Sequence, residues 1–514
     1  MSTLAFGRRV LGRAVPLVSL LVASFAGVAR AETLSAEEAV SRAANNNPSL
    51  RAALLDARSA QYAVAAERGA RDPNLVASVQ AEHSESITRP GLSGVATGAD
   101  AASRSVANSV SANAAVTYTT DIGTDLELGT RTGTNWNSTS WSGTGPLPNN
   151  LSLGPQYTAQ AYLTVRQPLL RGAGSDAQLA PLRQAEAGAR GAESRRVQSA
   201  SQTALDVLSA YWELWYADRA VRVQEQALAA AERLVNDAKV RATTLGTGSA
   251  VDVLQFTTQA ASIADALSQA RADRSGRAIE LGRILGVAPQ QATALDAAGD
   301  PPEWGPVPTV DQLTAVVAND SPALAALRAD IEGAQVRVRS ARNADRPRVD
   351  LFATGNVGTL WDDGSNFSLT GGRPTFGVLG GVELELPLGS GRFSADAAGA
   401  QMDLEAAQAR YQAQVDAAKA RISSLAVNVD AAAQQVELST QTAAAASQLA
   451  DAERQRLQLG TTTSRDVVSA EQTSREAELR RLRAVVSEAS ARFELEHTAG
   501  TLLGRFAAST GRSS

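Results

Sequence analysis

Apolar residues along the chain follow two different periods, which alternate in long blocks. Residues 156–165 and 378–386 alternate apolar and polar at every second position, which is typical of strands with one buried face. Apolar positions spaced by three and four, the helical period, recur in six other segments: 35–71, 175–244, 249–285, 310–345, 393–458 and 464–503. The pattern therefore predicts long helices that are interrupted twice by a β region.

Two short segments mark the same position in two copies of one module. Residues 245–254 are LGTGSAVDVL and residues 459–468 are LGTTTSRDVV, 214 positions further on (459 − 245 = 214). Pro48 and Pro322 begin two matching helical segments that are 274 positions apart (322 − 48 = 274). Such internal similarity indicates a duplicated fold unit. The predicted parts of the mature chain are the first repeat at 32–286, a Pro-rich linker at 287–310, the second repeat at 311–504 and a C-terminal tail at 505–514.

The first 31 residues have the pattern of an export signal. Three arginines stand within the first 13 residues, an apolar stretch follows at 14–28, and Ala-Arg-Ala supplies small residues for cleavage. We therefore predict a signal peptide at 1–31 and a mature chain that starts near Glu32. Beyond it the sequence has no stretch of 18 apolar residues that predicts a transmembrane helix.

Composition narrows the classes of function. With a net charge of −5, the chain lacks the excess of basic residues that is typical of nucleic-acid-binding proteins. Cysteine is absent and the two histidines, His83 and His497, stand far apart, so the sequence offers neither a thiol nucleophile nor a nucleophile paired with a histidine base. It also lacks the Gly-x-Ser-x-Gly motif of serine hydrolases. We predict that the protein is not an enzyme and that it has no cofactor and no metal site. The rival hypothesis of an exported hydrolase has no supporting motif.

Segment lengths predict the architecture. In each repeat two short helices are together about as long as one long helix, so they are expected to stack end to end along it. A 70-residue helix at 175–244 is about 100 Å long. Polar-apolar strands at one end suit the wall of a membrane β-barrel, which one copy cannot close, so several copies are expected. The strand number per repeat must be even; the first repeat has three or four candidate strands, which leaves an extra hairpin undecided.

Taken in order, these features resemble the TolC-like outer membrane efflux proteins. The strongest parts are Gln167-Pro168-Leu169-Leu170, the sequence YWEL at 211–214 and the two tips. The resemblance implies a mainly α fold with a membrane β-barrel: a duplicated helix-strand-strand-helix-helix module with long coiled-coil hairpins in a trimeric α/β-barrel channel. It also implies four strands per protomer, an outer-membrane location extending into the periplasm, a periplasmic adaptor at the tips and an inner-membrane pump that acts through the adaptor.

The same resemblance assigns roles to residues at the tips. Asp466 occupies a position that narrows the periplasmic entrance in relatives, while the next such position is Ser469, so one carboxylate per protomer is expected at the gate. Asp466 and Asp252 also fit helix caps, in Thr463-x-x-Asp466 and Ser249-x-x-Asp252. The predicted adaptor contacts are Leu245, Gly246, Thr247, Gly248, Ser249, Leu459, Gly460, Thr461, Thr462 and Thr463.

Alternatives stay open at this stage. Leu245 and Leu459 also fit as the last core residues before a turn, and Gly246 and Gly460 fit as left-handed helix ends. A periplasmic coiled-coil scaffold without a pore is the alternative to a duct, and the alternating segments argue against it. No recognisable motif identifies the cargo or decides between efflux and type I secretion. The sequence likewise leaves open whether the tunnel is open or closed at rest.

Overall fold

The computed structural model describes residues 32–88, 103–141, 150–243, 249–302, 304–362, 373–386, 388–389 and 391–510. The predicted signal peptide at 1–31 and most of the first tip therefore lie outside the described residues. Within the described residues no helix has an apolar stretch long enough to cross a membrane.

The helices repeat in matched pairs. Their lengths agree closely between repeats: 11 and 11 residues, 22 and 23, 64 and 68, and 36 and 36. The four pairs are α1 (Ala36–Asn46) with α7 (Val310–Asp320), α2 (Pro48–Gly69) with α8 (Pro322–Ala344), α4 (Ala180–Thr243) with α9 (Gly391–Gln458), and α5 (Ala250–Leu285) with α10 (Ser464–Ala499). Among the described residues, three short helices have no partner in the other repeat: α3 (Ser175–Gln178), α6 (Pro289–Ala292) and α11 (Leu502–Thr510).

The helix predicted at the start of each repeat is in fact two helices. The sequence pattern predicted continuous helices over 35–71 and 310–345, but the chain breaks at Asn47 and Ser321. Asn47 accepts the backbone N–H groups of Ser49 (2.9 Å) and Leu50 (3.2 Å) on Oδ1, and proline follows as the first helical residue. Proline fits that position because its missing N–H is not needed there. The apolar period continues across the break, which hides it from pattern analysis.

The long helices pack side by side, as the segment lengths predicted. Helix α4 contacts α2 and α5 of its own repeat and α8 and α10 of the other, and α9 contacts α8 and α10. Four columns result, in the order α2 with α5, α4, α8 with α10, and α9. Helix α4 has 64 residues, so it is about 96 Å long.

One antiparallel sheet of six strands follows the helices at one end. Its order is β2 (Asn74–Thr88), β3 (Ser103–Thr119), β4 (Asp125–Trp141), β5 (Asn150–Pro168), β7 (Arg348–Asp362) and β8 (Arg373–Glu385). The first repeat thus supplies four strands and the second two. The described sheet thus has two more strands than the four per protomer that the resemblance implies for the barrel, and β3 and β4 form the extra hairpin that the sequence left undecided.

A small parallel sheet lies beside the middle of α4. It pairs β1 (Glu32–Leu34) with β6 (Leu295–Ala297), so the predicted linker at 287–310 contains an ordered strand and α6. This sheet and α11 cover the largest hydrophobic cluster, which includes Tyr211, Trp212 and Trp215 of α4. These aromatic side chains are core residues.

Candidate functional site: a two-faced sheet and paired helix tips

One face of the six-stranded sheet is apolar and uncovered. The register aligns one residue from each strand across this face: Leu75, Val116, Leu128, Leu163, Gly355 and Val378. Five of these six positions are large apolar side chains, and they are 42–83% exposed. A contiguous apolar surface of this kind requires a partner or a lipid environment.

The opposite face carries charged and hydroxyl groups. Arg166 Nη1 lies 3.1 Å from Asp350 Oδ2 and 2.5 Å from Glu383 Oε2, which links three neighbouring strands. The Tyr162 hydroxyl donates to Glu127 Oε1 at 2.8 Å. Strict alternation along each strand puts these groups on the side away from Leu128 and Leu163. The sheet therefore separates a polar side from an apolar side, as a wall between water and lipid does.

Both edges of the sheet are open in one protomer. Strands β2 and β8 each pair on one side only among the described residues. All 15 residues of β2 are exposed. Because the strand number is even, β2 and β8 run in opposite directions, so β8 of one copy can pair antiparallel with β2 of the next.

The second helix tip is closed by two capping motifs. At the end of α9, Gly460 has φ = 74°. Its N–H donates to Leu457 O (3.2 Å) and the N–H of Thr461 to Arg456 O (2.9 Å). This pair of bonds is a Schellman motif. Leu459 lies just before it with 78% of its surface exposed.

Asp466 closes the start of α10. The N–H of Thr463 donates to Asp466 Oδ2 (3.2 Å) and the N–H of Asp466 donates to Thr463 Oγ1 (3.3 Å), which is a complete capping box. The Thr462 hydroxyl also donates to Oδ2 at 3.2 Å. Hydrogen bonds from Thr463 lower the pKa of the Asp466 carboxyl. Asp466 is therefore an exposed, ionised carboxylate held in a fixed position, and the capping interpretation of its sequence pattern is observed.

Asp252 has a different environment from Asp466. The cap of α5 is supplied by Ser249, whose Oγ accepts the N–H of Val251 at 3.1 Å. The Asp252 carboxylate instead accepts the Ser464 hydroxyl of the other tip at 2.6 Å. The reciprocal bond predicted from Ser249-x-x-Asp252 is replaced by this link between tips, and the charge still lies in the first turn, where the helix dipole favours it.

The two tips of one protomer are joined by further contacts. A hydrophobic cluster contains Val235, Phe256 and Val467, and so draws on α4, α5 and α10. Arg454 Nε lies 2.5 Å from Glu471 Oε1, linking α9 to α10. Sequence analysis did not single out Ser464. Its bond to Asp252 depends on how the two hairpins pack against each other, which local spacing does not reveal.

Four of the predicted adaptor contacts fall outside the described residues: Leu245, Gly246, Thr247 and Gly248. The other six lie at the described tips. Leu459, Gly460, Thr461 and Thr463 are exposed and Thr462 is partly buried, while Ser249 caps α5. The adaptor role of all ten stays a prediction.

Sequence comparison identifies one family over part of the chain. Residues 315–501 match the model of the family described as outer membrane efflux protein. That stretch runs from α7 to the end of α10 and includes β7 and β8. No curated protein sequence matches the chain.

Structural comparison extends the likeness to both repeats. The outer-membrane channel OprN superimposes with a TM-score of 0.65 at 17% identity, over 91% of this chain and 90% of that chain. The outer membrane protein VceC of Vibrio cholerae gives 0.62 at 18% identity, over 90% and 96%. The MtrE outer membrane channel of Neisseria gonorrhoeae, in its open state, gives 0.62 at 17%, over 92% and 93%.

These matches establish the fold. The fold is that of the outer-membrane channels, and the predicted fold class is confirmed. The predicted resemblance to the TolC-like outer membrane efflux proteins is likewise confirmed, with residues 315–501 carrying the family's sequence pattern. The matched proteins are named as outer-membrane proteins, which is the location that the sequence resemblance implies for this chain.

Proposed function

We propose that this protein is the outer-membrane duct of a tripartite efflux or type I secretion system. It is a homotrimer in outer-membrane lipid that extends into the periplasm. Its tips bind a periplasmic adaptor protein, through which an inner-membrane pump delivers substrates. The duct is passive and does no chemistry on its cargo.

The two-faced sheet is the observation that carries this proposal. A periplasmic scaffold has no use for a six-stranded sheet with exposed leucine and valine on one side and an Arg166–Asp350–Glu383 network on the other. In a channel wall the apolar side contacts lipid, which cannot hydrogen-bond to polar groups, and the polar side lines water.

Exposed apolar residues on the helices support assembly from several copies. Most of them occur in the two outer columns of the protomer, on α2 and α5 at one side and on α9 at the other; Val240 of α4 and Val310 of α7 are the exceptions among the described residues. Tyr62 of α2 is 75% exposed and Val427 of α9 is 68% exposed, whereas α8 and α10 in the middle have no exposed large hydrophobic residue among those described. Packing α9 of one copy against α2 and α5 of the next covers both surfaces, and cyclic symmetry leaves no outer column free.

The tips fit a docking role because they are exposed yet rigid. The Schellman motif and the capping box fix the backbone on both sides of Leu459–Thr463, so little conformational entropy is lost when a partner binds. The exposed Leu459 supplies an apolar contact at the centre of this surface.

Planar-bilayer recording of the purified mature protein tests the duct. We expect discrete, long-lived conductance steps from a trimer that requires detergent. A monomeric protein that is soluble without detergent and silent in the bilayer would refute the duct and favour the scaffold.

We further propose that the three copies of Asp466 form the periplasmic gate. A close ring of carboxylates binds cations and repels anions. Asp466→Asn retains the shape of the side chain and its ability to accept the Thr463 N–H, and it removes the charge. We expect the half-inhibitory concentration of a divalent cation to rise about tenfold, corresponding to about 1.4 kcal/mol of lost binding.

Asp265→Asn is the matched control for the gate. Asp265 is an exposed carboxylate on α5, where it accepts a hydrogen bond from Gln269. Its substitution is expected to leave cation inhibition unchanged. Equal inhibition of the Asp466→Asn variant and the native channel would show that Asp466 is a helix cap only.

A further inference from the structure

The hairpin formed by β3 and β4 is the insertion that distinguishes the two repeats. Pro73 precedes β2 and Pro347 precedes β7, 274 positions apart (347 − 73 = 274). Strands β5 and β8 both lead into the long helices α4 and α9. Strand β2 therefore corresponds to β7 and β5 to β8, which leaves β3 and β4 without counterparts.

The inserted hairpin lies inside the sheet. Strand β3 pairs with β2 from Ser103 to Thr119 and β4 pairs with β5 from Asp125 to Asn135 without interruption. Its apolar residues also continue the apolar face of the neighbouring strands, as Val116 and Leu128 do in the row from Leu75 to Val378. A hairpin in this position cannot leave the sheet without breaking two full ladders of hydrogen bonds.

The turn of the inserted hairpin is attached to the helices. Arg71 Nη2, at the end of α2, lies 2.5 Å from Asp121 Oδ1. The N–H of Gly174, just before α3, donates to Ile122 O at 3.0 Å. Gly123 has φ = 92°, and a Cβ there would lie 2.7 Å from Gly172 O, so the close approach requires glycine. The turn is thus built between α2 and the segment that leads into α4.

The width of the sheet agrees with the width of the helical layer below it. Strands about 4.8 Å apart and tilted by about 40° each occupy about 6.3 Å of circumference, so six strands span about 38 Å. Four helical columns at about 9 Å each span about 36 Å.

We infer that every copy contributes all six strands to the barrel wall, so that the trimer forms a barrel of 18 strands. This inference rests on the proposed function for the number of copies. Strand β8 of one copy pairs with β2 of the next. Because barrel diameter grows roughly linearly with strand number, the outer mouth is about 1.5 times as wide as that of a twelve-stranded barrel at equal tilt.

Electron cryo-microscopy of the full mature protein in nanodiscs tests this directly. We expect three copies and six strands in each third of the wall. A trimer with four strands per copy in the wall and the hairpin folded outside would overturn the inference. So would a closed dimer, which has twelve strands.

A deletion variant tests the consequence for the mouth. Deleting residues 103–149 removes β3 and β4 and leaves residues 89–102 to connect β2 to β5, the arrangement of β7 and β8. In planar bilayers, polyethylene glycols of graded size added from the outer side should enter the native channel up to a hydrodynamic radius about 1.5 times that admitted by the variant. An identical cut-off in both proteins would contradict the inference, and if the variant fails to fold, the image of the native protein decides.

The two proposals fail in different ways. A conducting trimer with a twelve-stranded wall would leave the duct intact and remove only the wider barrel, whereas a conducting dimer would leave a duct and refute both the trimer and the wider barrel. A native protein without any pore would remove the duct itself.

Discussion

The middle of α4 and the middle of α9 are the same place in two copies of one module, yet they are packed differently. Three buried positions of α4 have buried counterparts 214 positions later in α9: Leu208 and Ile422, Tyr211 and Leu425, Trp215 and Val429. The α4 residues belong to a cluster covered by β1, β6 and α11, and the α9 residues to a smaller one covered by α7 and α8.

The side chains of α4 at these positions are suited to the additional layer formed by the small sheet. The Tyr211 hydroxyl donates to Leu34 O at 3.1 Å, and Trp215 Nε1 donates to Gly299 O at 2.8 Å, so the larger side chains fill the space to the small sheet and bond its backbone. Asp218, one turn further on, accepts hydrogen bonds from Arg274 Nε at 2.8 Å and from the N–H of Ala297 at 3.2 Å. Its counterpart in α9 is Ala432. The two long helices therefore share the spacing of their buried positions, whereas the size and polarity of the side chains at these positions differ with the elements that cover them.

Replacing Asp218 by the residue of the other repeat should have the largest effect. Asp218 is 8% exposed, so Asp218→Ala leaves the Arg274 guanidinium without its carboxylate and is expected to cost roughly 3–5 kcal/mol of unfolding free energy. Denaturant unfolding at fixed protein and detergent concentration measures it. Asp430→Ala, on the exposed surface of α9, should change stability by less than about 0.5 kcal/mol. Equal losses in both variants would mean that the bonds of Asp218 to α5 and β6 do not stabilise the fold.

Tyr211→Leu, which copies Leu425, should cost less. The substitution removes the hydroxyl that bonds Leu34 O and leaves a small cavity, so roughly 2–4 kcal/mol of stability should be lost. Tyr211→Phe keeps the ring and should lose only about 1 kcal/mol. The same unfolding assay decides, and a Tyr211→Phe loss as large as that of Tyr211→Leu would show that hydrogen bonding alone, not filled volume, distinguishes the two cores.

A substitution at the second tip should have the smallest effect. Gly460 has φ = 74°, a backbone conformation that costs alanine about 1–2 kcal/mol, so Gly460→Ala should lower stability by that amount. Gly399 lies exposed in the interior of α9 with open space around it, and Gly399→Ala should instead raise stability by roughly 0.5–1 kcal/mol. Thermal unfolding of the pair tests the opposite signs; a stabilised Gly460→Ala variant would show that the Schellman turn tolerates a side chain.

Pattern analysis predicted the helices and their duplication because these are long and strictly periodic. The ends of α4, α5, α9 and α10 lie within two residues of the predicted bounds with two exceptions. The predicted helix at 175–244 is divided into α3 and α4, which begins at Ala180, and Gly500 stops α10 before α11 begins separately. Helix breaks that keep the apolar period, as at Asn47-Pro48, were not visible in this way.

Strand number was harder to predict because the polar face of the sheet is built from small residues. Residues 89–111 and 133–155 are rich in glycine, serine and asparagine, a composition that favours loops, yet β3 begins at Ser103 and β4 continues to Trp141. Serine, threonine and asparagine are typical of turns as well as of a wall facing water, so composition cannot separate the two. At the tips, the Asp466 cap was predictable from local spacing, whereas the Ser464–Asp252 bond joins residues 212 positions apart and depends on how the hairpins pack.

The pairing of β1 with β6 constrains the order in which the chain can fold. Glu32 aligns with Leu295, 263 positions away (295 − 32 = 263), so the whole first repeat lies within the loop that this pair closes. Loop closure of that size is entropically costly, and contacts between distant residues form slowly. Strand β1 therefore cannot pair until β6 has been synthesised, after helices α1 to α6 and strands β2 to β5 of the first repeat.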